Sequence, residues 1–310
     1  MELTYQVDRD HAGCCVRQAA RGPMHLSEKL WRKIKWNGTI IVNGSPVSSP
    51  SHRLEAGDWL VFRWEETAAV IPVQLPLSIL YEDEDLLAVD KPAAMLIHPT
   101  WAGARDTLVQ AVGGYSRRTG QACGIHPLYR LDRDTTGILL VAKSAFAKHA
   151  LTKSHSQIYR EYLAICEGRL EYPRGRIAHP IGRAEEGVDR WTVRPDGRPA
   201  VTDYEILAEG EEYTVLRIHL LTGRTHQIRV HFAHEGHPLL GDPLYGKTHP
   251  ILQRQALHAW TVRFCHPRTG KELYLQAPVP GDMRRGAVAC AAAPSAAADR
   301  CTLAADSKGV

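Results

Sequence analysis

The sequence has no long apolar run. Its unbroken apolar stretches, such as residues 137 to 142, fall far short of the ~18 to 20 residues that a membrane-spanning helix needs. Its N-terminus also lacks the basic segment, apolar core and small-residue cleavage site of an export signal. From these absences we expect no membrane partner and a cytoplasmic protein.

Cysteine is present but shows no useful pairing. The 7 cysteines are odd in number and scattered, at Cys14, Cys15, Cys123, Cys166, Cys265, Cys290 and Cys301. Disulfide frameworks and zinc sites both need regular, paired spacings. We therefore expect free thiols in a reducing compartment.

A strong excess of positive charge is also missing. The chain has 38 basic and 34 acidic residues and a formal net charge of +4. Binding to nucleic-acid phosphates depends more on local basic patches than on the total charge. Residues 17 to 35 form such a patch, in which the single acid Glu28 stands against Arg17, Arg21, Lys29, Arg32, Lys33 and Lys35.

The region around this basic patch has helix and turn signals in a regular order. Ser27 is a good N-cap for an amphipathic helix over residues 28 to 35, and Gly38 ends that helix. A strand, a tight turn and a final strand are then predicted at residues 40 to 42, Asn43-Gly44 and residues 59 to 62. This order resembles an S4-type RNA-binding domain. An amphipathic helix whose basic side is only solvated is the alternative.

The segment from His126 to Gly137 places one short carboxylate, Asp132, between Arg130 and Arg133. Residues 138 to 142 follow as an unbroken apolar run, which is typical of a buried strand. Rigid structure therefore presents the carboxylate. An isolated Asp in a turn more often only accepts backbone hydrogen bonds, so the neighbouring motifs must decide between the two roles.

Those motifs are specific when they are taken together. Arg130-Leu131-Asp132 followed by Thr135-Thr136-Gly137 resembles the hallmark of the RluA-type pseudouridine synthase family. Further blocks match that family in the expected order, at Lys91-Pro92, residues 160 to 168 and residues 222 to 246. The resemblance covers about residues 76 to 280. Ordered blocks over such a span are far more specific than one short motif.

The sequence departs from the family pattern at several positions. Tyr129 replaces a usual His, Thr136 a Ser and Ala94 a Gly, and arginine replaces a common lysine at Arg160 and Arg198. None of these changes removes the carboxylate, the aromatic hydroxyl or the guanidinium that the family chemistry needs. Because Tyr129 replaces the usual His, the orientation of its neighbour Arg130 toward RNA stays open.

The resemblance implies an enzyme that isomerises uridine to pseudouridine within RNA. The bond from the base nitrogen to the ribose breaks, the uracil rotates, and its carbon 5 joins the sugar, with no metal or other cofactor. Asp132 is then the catalytic carboxylate. Attack on the sugar, addition to the base and removal of a sugar proton all stay open as its role.

The same resemblance implies two further catalytic residues. Tyr162 corresponds to a Tyr that lies against the target uracil, whereas a buried Tyr without the motif is more often a core aromatic. Arg229 lies on a helix that we expect to be capped by Thr225 and ended by Gly236. A buried guanidinium needs a carboxylate partner, and we expect Asp132 to be that partner.

Two arginines near these residues are expected to contact RNA or support the site. Arg130 is expected to fill the RNA stack when the uridine is flipped out, because flipping leaves a gap. A salt bridge from Arg130 to Asp134 is the alternative. Arg224, at a Gly-Arg-Thr corner, is expected to bind backbone carbonyls or phosphate.

Two other functions compete with this interpretation. A metal hydrolase is suggested by the 16 histidines and by the set His226, His231, His234 and His237. Only His231 and His234 of that set share a helix face, and no ligand pattern completes a zinc site. A non-catalytic RNA-binding protein is the second alternative, but such a protein has no need of the predicted catalytic trio.

The predicted architecture is α+β, with a pseudouridine synthase fold of a mixed, mainly antiparallel sheet and flanking helices. We expect an S4-like domain over residues 1–66, a linker over 67–77, a catalytic domain over 78–280 and a tail over 281–310. The tail is rich in alanine and is expected to be disordered or at most a nascent helix. The expected partner is RNA, large-subunit rRNA first and tRNA as the alternative, and the protein is expected to be a monomer.

Overall fold

The computed structural model describes residues 1–66, 70–99, 105–153, 158–185 and 190–291. Its N-terminal part is a small sheet with two helices on it. The elements are β1 Glu2–Gln6, a 3-10 helix Arg9–His11, α1 Val16–Arg21, α2 Glu28–Asn37, β2 Thr39–Val42, β3 Ser45–Pro46 and β4 Trp59–Arg63. The strand order is β1-β4-β2-β3, and every pair is antiparallel.

Helix α2 forms as its sequence predicts. The Ser27 hydroxyl accepts a hydrogen bond from the Leu30 N–H at 3.1 Å and caps the helix. Leu30, Trp31 and Ile34 are buried beneath it, and Gly38 is the C-cap. The helix continues to Asn37, slightly beyond the predicted end.

A large mixed sheet follows in the chain. Its strands are β5 Ser78–Glu82, β6 Leu86–Lys91, β7 His126–Pro127, β8 Thr136–Ala142, β9 Tyr159–Glu167, β10 Arg174–Ile177, β13 Thr202–Glu209, β14 Tyr213–Leu220, β15 Leu257–Cys265 and β16 Glu272–Gln276. The order is β10-β13-β14-β9-β15-β8-β6-β5, with β7 on β8 and β16 on β15. The hairpin β11 Ile181–Arg183 and β12 Trp191–Val193 stands apart. The α+β prediction is confirmed.

Beside the middle of this sheet, β15 and β8 form a parallel pair. Every residue of β8 is buried, as expected for an unbroken apolar run. Gly137 allows the two strands to approach, because a Cβ at that position would lie 2.1 Å from the Ala259 carbonyl oxygen. Its φ of 104° also favours glycine.

The helices that accompany the large sheet and hairpin in the described residues are α3 Leu108–Arg118, α4 Ala145–Lys153, α5 Gln227–His234 and α6 Gly281–Ala291. Within the described ranges, no helix is both long enough and apolar enough to cross a membrane. Part of the predicted linker, residues 67–69, lies outside the described residues. The rest contacts α3, where the Val73 N–H donates to the Gln110 carbonyl at 3.0 Å.

The first part of the tail, for which we expected disorder or at most a nascent helix, is an ordered helix. Helix α6 covers 11 residues, from Gly281 to Ala291. Met283 is only 3 % exposed and packs among Leu163, Ile165, Leu240 and Leu252. The alanine-rich composition of the tail gave no indication that Met283 would be buried in the core. Residues 292–310 lie outside the described part of the chain.

The N-terminal part and the large sheet share one apolar core, which includes Phe62 of β4 together with Leu86 and Ile138. Glu66 lies at their junction and is 6 % exposed. Its carboxylate accepts hydrogen bonds from Trp64 Nε1 at 2.8 Å and from the Ala145 N–H at the start of α4 at 3.0 Å. A buried carboxylate thus joins the two parts.

Cys14, Cys15, Cys123 and Cys265 are free thiols. Cys14, Cys15 and Cys265 have some exposure, whereas Cys123 is buried, as is Cys166. Cys301 lies outside the described residues.

We predict that Met283→Ala destabilises the protein by roughly 2 to 5 kcal/mol, because it removes a buried side chain and leaves a cavity. Arg284→Ala, an exposed position on the same helix, serves as the matched control and should change the free energy of unfolding by less than about 0.5 kcal/mol. Chemical denaturation measures both variants. Equal stabilities would show that α6 adds nothing to the fold.

Candidate active site

Asp132 lies in the loop of residues 128–135, which connects β7 to the central strand β8. Its side chain is 22 % exposed, so solvent and ligands can reach it. Its carbonyl oxygen accepts a hydrogen bond from the Thr135 N–H at 3.2 Å. The local turn that the sequence predicts is therefore present, but it uses the backbone of Asp132 and leaves the carboxylate for other contacts.

The carboxylate of Asp132 contacts Arg229, as the sequence predicts. Arg229 Nη1 donates to Asp132 Oδ2 at 3.1 Å. The other side of the guanidinium holds Asp242, with Nε to Oδ2 at 2.7 Å and Nη2 to Oδ1 at 2.9 Å. Arg229 therefore bridges two carboxylates, one of which the sequence analysis had not assigned to the site.

This bridge is deeply buried on the Asp242 side. Arg229 is 6 % exposed and Asp242 is 0 % exposed. Burial opposes the charge on Arg229, but the hydrogen bonds and charges of Asp242 and Asp132 prevail and raise its pKa. The Tyr245 ring lies 5.0 Å from the guanidinium. Arg229 is thus a permanent cation beside Asp132.

The start of α5 differs from its predicted geometry. The N-cap is His226, in a left-handed conformation with φ 56°, and the predicted Thr225 cap is wrong. The reason is the Gln227 side chain, whose Oε1 accepts from Thr222 Oγ1 at 2.8 Å and from the Arg224 N–H at 3.0 Å. These bonds close the turn before the helix without Thr225.

That turn brings His226 into the site. Its Nε2 lies 3.9 Å from Asp132 Oδ2, and its Nδ1 is hydrogen-bonded to the Tyr245 hydroxyl at 2.9 Å. Residues in sparsely populated backbone conformations tend to occur at functional sites. From the sequence, His226 was a candidate metal ligand only. Its place beside the carboxylate depends on a backbone conformation that no residue pattern revealed.

Tyr162 lies on β9 in register with Ala259 of β15 and Ile218 of β14. It is 4 % exposed and packs in the core beneath the active-site loop. Burial raises the pKa of its hydroxyl; Arg160 opposes this shift and Asp132 adds to it. Tyr162 thus belongs to the core and is also electrostatically linked to Asp132.

Two departures from the family pattern contact each other beside this strand. The Arg160 guanidinium lies 4.9 Å from the centre of the Tyr129 ring, a cation–π contact. The Tyr129 hydroxyl donates to the Ile138 carbonyl at 3.1 Å. Tyr129 is therefore held by β8 and by Arg160. The next residue in the chain, Arg130, is exposed.

Lys91 supports the loop from below with a fully buried side chain. Its Nζ donates to the carbonyl oxygens of Pro92, Met95 and Arg133 at 2.7, 2.9 and 2.8 Å. Burial lowers the pKa of Lys91 to about 7, and Asp134 and Asp132 limit the fall. Lys91 thus ties the end of β6 to the residue that follows Asp132.

The two predicted RNA-contacting arginines near the site have different surroundings. Arg224 Nε donates to the Pro199 carbonyl at 2.9 Å, one of the two contacts expected for it. For Arg130, no ion pair to Asp134 is found in the described part of the chain. Asp134 Oδ1 instead accepts the Ala94 N–H at 3.1 Å. Arg130 thus keeps an exposed side chain next to the loop.

The predicted basic patch is divided by the fold. Five of its side chains are exposed, namely Arg17, Arg21, Lys29, Arg32 and Lys35. Arg21 and Arg32 approach Glu28 at 3.6 and 3.3 Å. Lys33 has a different environment, because its Nζ lies 3.5 Å from buried Glu66 at the junction while its side chain remains 38% exposed.

A surface cavity of about 450 Å³ lies in this N-terminal part. Arg17, Arg21 and Arg53 contribute three positive charges to its lining, with Gln18 and Ser51 as polar neighbours. Arg53 was not assigned by the sequence analysis, since it is distant along the chain from the basic helix. The cavity therefore widens the patch toward residue 53.

The histidine set that suggested a metal site does not assemble as such. His231 has both ring nitrogens engaged, with Thr202 Oγ1 and the His179 carbonyl, each at 2.9 Å. His234 instead groups with His179 and Glu235, whose ligand-type atoms lie within 4.8 Å of one another. Of the described residues, these are the ones that could hold a metal ion, and two of them are exposed.

The fold and the carboxylate loop define this protein as a pseudouridine synthase. The family model described as RNA pseudouridylate synthase matches residues 85–234. The solved structure of human RNA pseudouridylate synthase domain containing 1 is similar, with a TM-score of 0.55 and 26% identity over 71% of this chain and 96% of that one.

Curated relatives extend the match over nearly the whole chain. An RNA pseudouridine synthase of Bacillus subtilis (strain 168) is 36% identical over 270 residues, which cover 85% of this chain and 95% of the relative. Ribosomal large subunit pseudouridine synthase D of Escherichia coli (strain K12) is 37% identical over 303 residues, or 91% and 92%. The chain belongs to the RluA-type family of RNA pseudouridine synthases.

We predict that Arg229→Ala lowers the free energy of unfolding by roughly 3 to 5 kcal/mol, because it leaves buried Asp242 as an unpaired charge. The control is Arg194→Ala, which breaks the exposed pair with Asp196 and should cost less than about 1 kcal/mol. Denaturant titrations compare the two. Equal small losses would mean that Asp242 does not depend on Arg229.

Proposed function

We propose that Asp132 is the carboxylate that performs the isomerisation of uridine in this enzyme. The observation that carries the proposal is the contact between Asp132 and Arg229, a buried permanent cation. A carboxylate that acts as nucleophile or base must be held in place and be open to the substrate. Arg229 positions Asp132 through its hydrogen bond and places a positive charge beside it, while the exposed fraction of Asp132 admits the substrate.

Tyr162 is proposed to lie against the uracil ring. Its raised pKa means that the hydroxyl carries its proton at neutral pH in the free enzyme. The protonated hydroxyl can donate a hydrogen bond to a flipped base, and the Tyr162 ring offers that base a stacking surface. His226, 3.9 Å from Asp132, is a further polar group near the place where the ribose must lie.

The proposed RNA contacts combine the active-site rim with the N-terminal part. Arg130 is proposed to fill the gap left by the flipped uridine, since its side chain is exposed next to the loop. Arg224 supports the rim. Residues 1–66 are proposed to be an S4-type domain that binds phosphates through Arg17, Arg21, Lys29, Arg32, Lys33 and Lys35, of which Lys33 is also paired with Glu66.

The proposed substrate is large-subunit rRNA. The support is the long match to the Escherichia coli enzyme that is named for the ribosomal large subunit. A tRNA substrate is the alternative within the same family. The free thiols of Cys14, Cys15, Cys123 and Cys265 support a cytoplasmic location, and we propose that the protein acts as a monomer without a metal or other cofactor.

The expected substrate predicts where pseudouridine disappears when the gene is deleted. We expect one or more pseudouridines to be lost from 23S-type large-subunit rRNA, while tRNA keeps its own. Mapping of pseudouridines in both RNA fractions, with and without the gene, measures this. Re-expression of the parent chain must restore the sites. Loss in tRNA alone would assign the enzyme to tRNA.

The catalytic proposal predicts that Asp132→Asn abolishes pseudouridine formation, because the change keeps the size of the side chain and removes its charge. RNA affinity should stay near that of the parent. Asp134→Asn, two residues along the same loop, is the matched control and should remain active, since an amide oxygen still accepts from Ala94. Single-turnover assays measure both. Turnover by Asp132→Asn within about tenfold of the parent would contradict the proposal.

The basic surface predicts a change in the salt dependence of RNA binding. Because residues 1–66 share a core with the large sheet, point variants are preferable to removal of the whole domain. The triple variant Arg17→Ala, Lys29→Ala, Lys35→Ala should flatten the log–log salt slope by about one unit for each phosphate that the protein no longer neutralises. The single-turnover rate at saturating protein should not change.

The control for the salt experiment is Arg63→Ala, which removes an exposed charge of the same domain that is already paired with Glu2. It should leave the salt slope unchanged. An unchanged slope in the triple variant would show that the basic helix is only a solvated face.

A further inference from the structure

Helix α6 reaches the active-site loop through one ion pair. Asp282, in the first turn of α6, accepts two hydrogen bonds from Arg254, at 2.8 Å from Nε and 3.0 Å from Nη2. The pair is well shielded, since the Arg254 side chain is 9% exposed and that of Asp282 is 30% exposed. Burial opposes ionisation of Asp282, but the contacts of Arg254 prevail and lower its pKa.

The remaining nitrogen of Arg254 faces the loop that carries Asp132. Nη1 donates to the Asp134 carbonyl at 3.2 Å and also to the carbonyls of Gln255 and Leu257, at 3.1 and 3.3 Å. The guanidinium therefore uses one edge for α6 and the other for backbone carbonyls. Its orientation toward the loop depends on the carboxylate that holds its opposite edge.

Successive residues of the loop are each held by a different buried group. Arg229 holds the Asp132 carboxylate, Lys91 holds the Arg133 carbonyl, and Arg254 holds the Asp134 carbonyl. Gln255 Nε2 also donates to Thr135 Oγ1 at 3.2 Å. Among these supports, Arg254 is the one whose own counter-ion comes from α6.

We infer that Asp282 is a positioning residue for the isomerisation, which acts through Arg254 to hold the backbone of the loop that presents Asp132. The inference rests on the proposed catalytic role of Asp132. Asp282 touches neither substrate nor reacting atoms. Its contribution is to keep the Arg254 guanidinium turned toward the Asp134 carbonyl, so that Asp132 lies where its chemistry requires.

Removal of the Asp282 carboxylate leaves two donors of a buried guanidinium without an acceptor, which is costly. The side chain can recover these bonds only by turning, and it then releases the Asp134 carbonyl. A displacement of about 1 Å at reacting atoms can cost about a hundredfold in rate. We therefore expect the chemical step to slow while RNA affinity, to which the basic residues of the N-terminal part also contribute under the proposal above, stays near the parent value.

The test is a set of single-turnover and RNA-binding measurements on the full chain. Asp282→Ala should lower the rate at saturating protein by about 10- to 100-fold and leave the dissociation constant for RNA near the parent value. Asp282→Glu, which restores a carboxylate, should recover most of the rate. Arg284→Ala, on the same helix, is the matched control and should behave like the parent.

A double-mutant cycle shows whether the effect passes through Arg254. In an Arg254→Met background, Asp282→Ala should cause no further loss of rate. If Arg254→Met does not fold, Arg254→Lys provides the second background, because lysine keeps the charge but cannot form the two-edged contact. Denaturation curves select a temperature at which each assayed variant is fully folded.

The outcomes separate this inference from the catalytic proposal. A folded Asp282→Ala variant with the parent rate, or a loss of the same size in both Arg254 backgrounds, overturns the positioning role. A weaker RNA affinity with an unchanged rate at saturation overturns it too. Asp132→Asn is assayed in parallel: if that variant is inactive, such a result concerns Asp282 alone, and if it is active, the catalytic proposal itself fails.

Discussion

The site depends on one buried guanidinium. Arg229 has no access to bulk water on the side of Asp242, so its charge is stable there only because that carboxylate accepts two of its hydrogen bonds. The remaining nitrogen, Nη1, then donates to Asp132. The pair with Asp242 fixes the orientation of the Arg229 guanidinium. Asp132 is therefore held in one position and has a permanent positive charge beside it.

The sequence was most informative where chemistry and local periodicity agree. The loop motif located Asp132, the apolar run predicted β8, and the requirement of a buried Arg for a carboxylate predicted the contact of Arg229 with Asp132. Ser27 and Gly38 predicted the ends of α2 to within a few residues. These features depend on neighbours within a few positions of the chain or on a pairing that electrostatics demands.

The features that could not be predicted depend on contacts between distant segments. Asp242 becomes the main partner of Arg229 only when the chain folds back after α5, and His226 enters the site through a left-handed backbone conformation. The pairing of Lys33 with buried Glu66 also joins positions that lie far apart along the chain. The low hydrophobicity of residues 281 to 291 gave no indication of helix α6. Met283, which packs in the core, and Asp282, which binds Arg254, attach this helix to the fold.

The shared core of the N-terminal part and the large sheet has a geometric consequence. Two domains on a flexible tether sample many separations, whereas a common core and the Glu66 junction set one distance between the basic cavity and Asp132. An RNA that occupies both places must therefore span that distance. If the N-terminal basic residues bind RNA as proposed, an RNA with the right local sequence but the wrong spacing between the two places loses one of its two contacts with the protein.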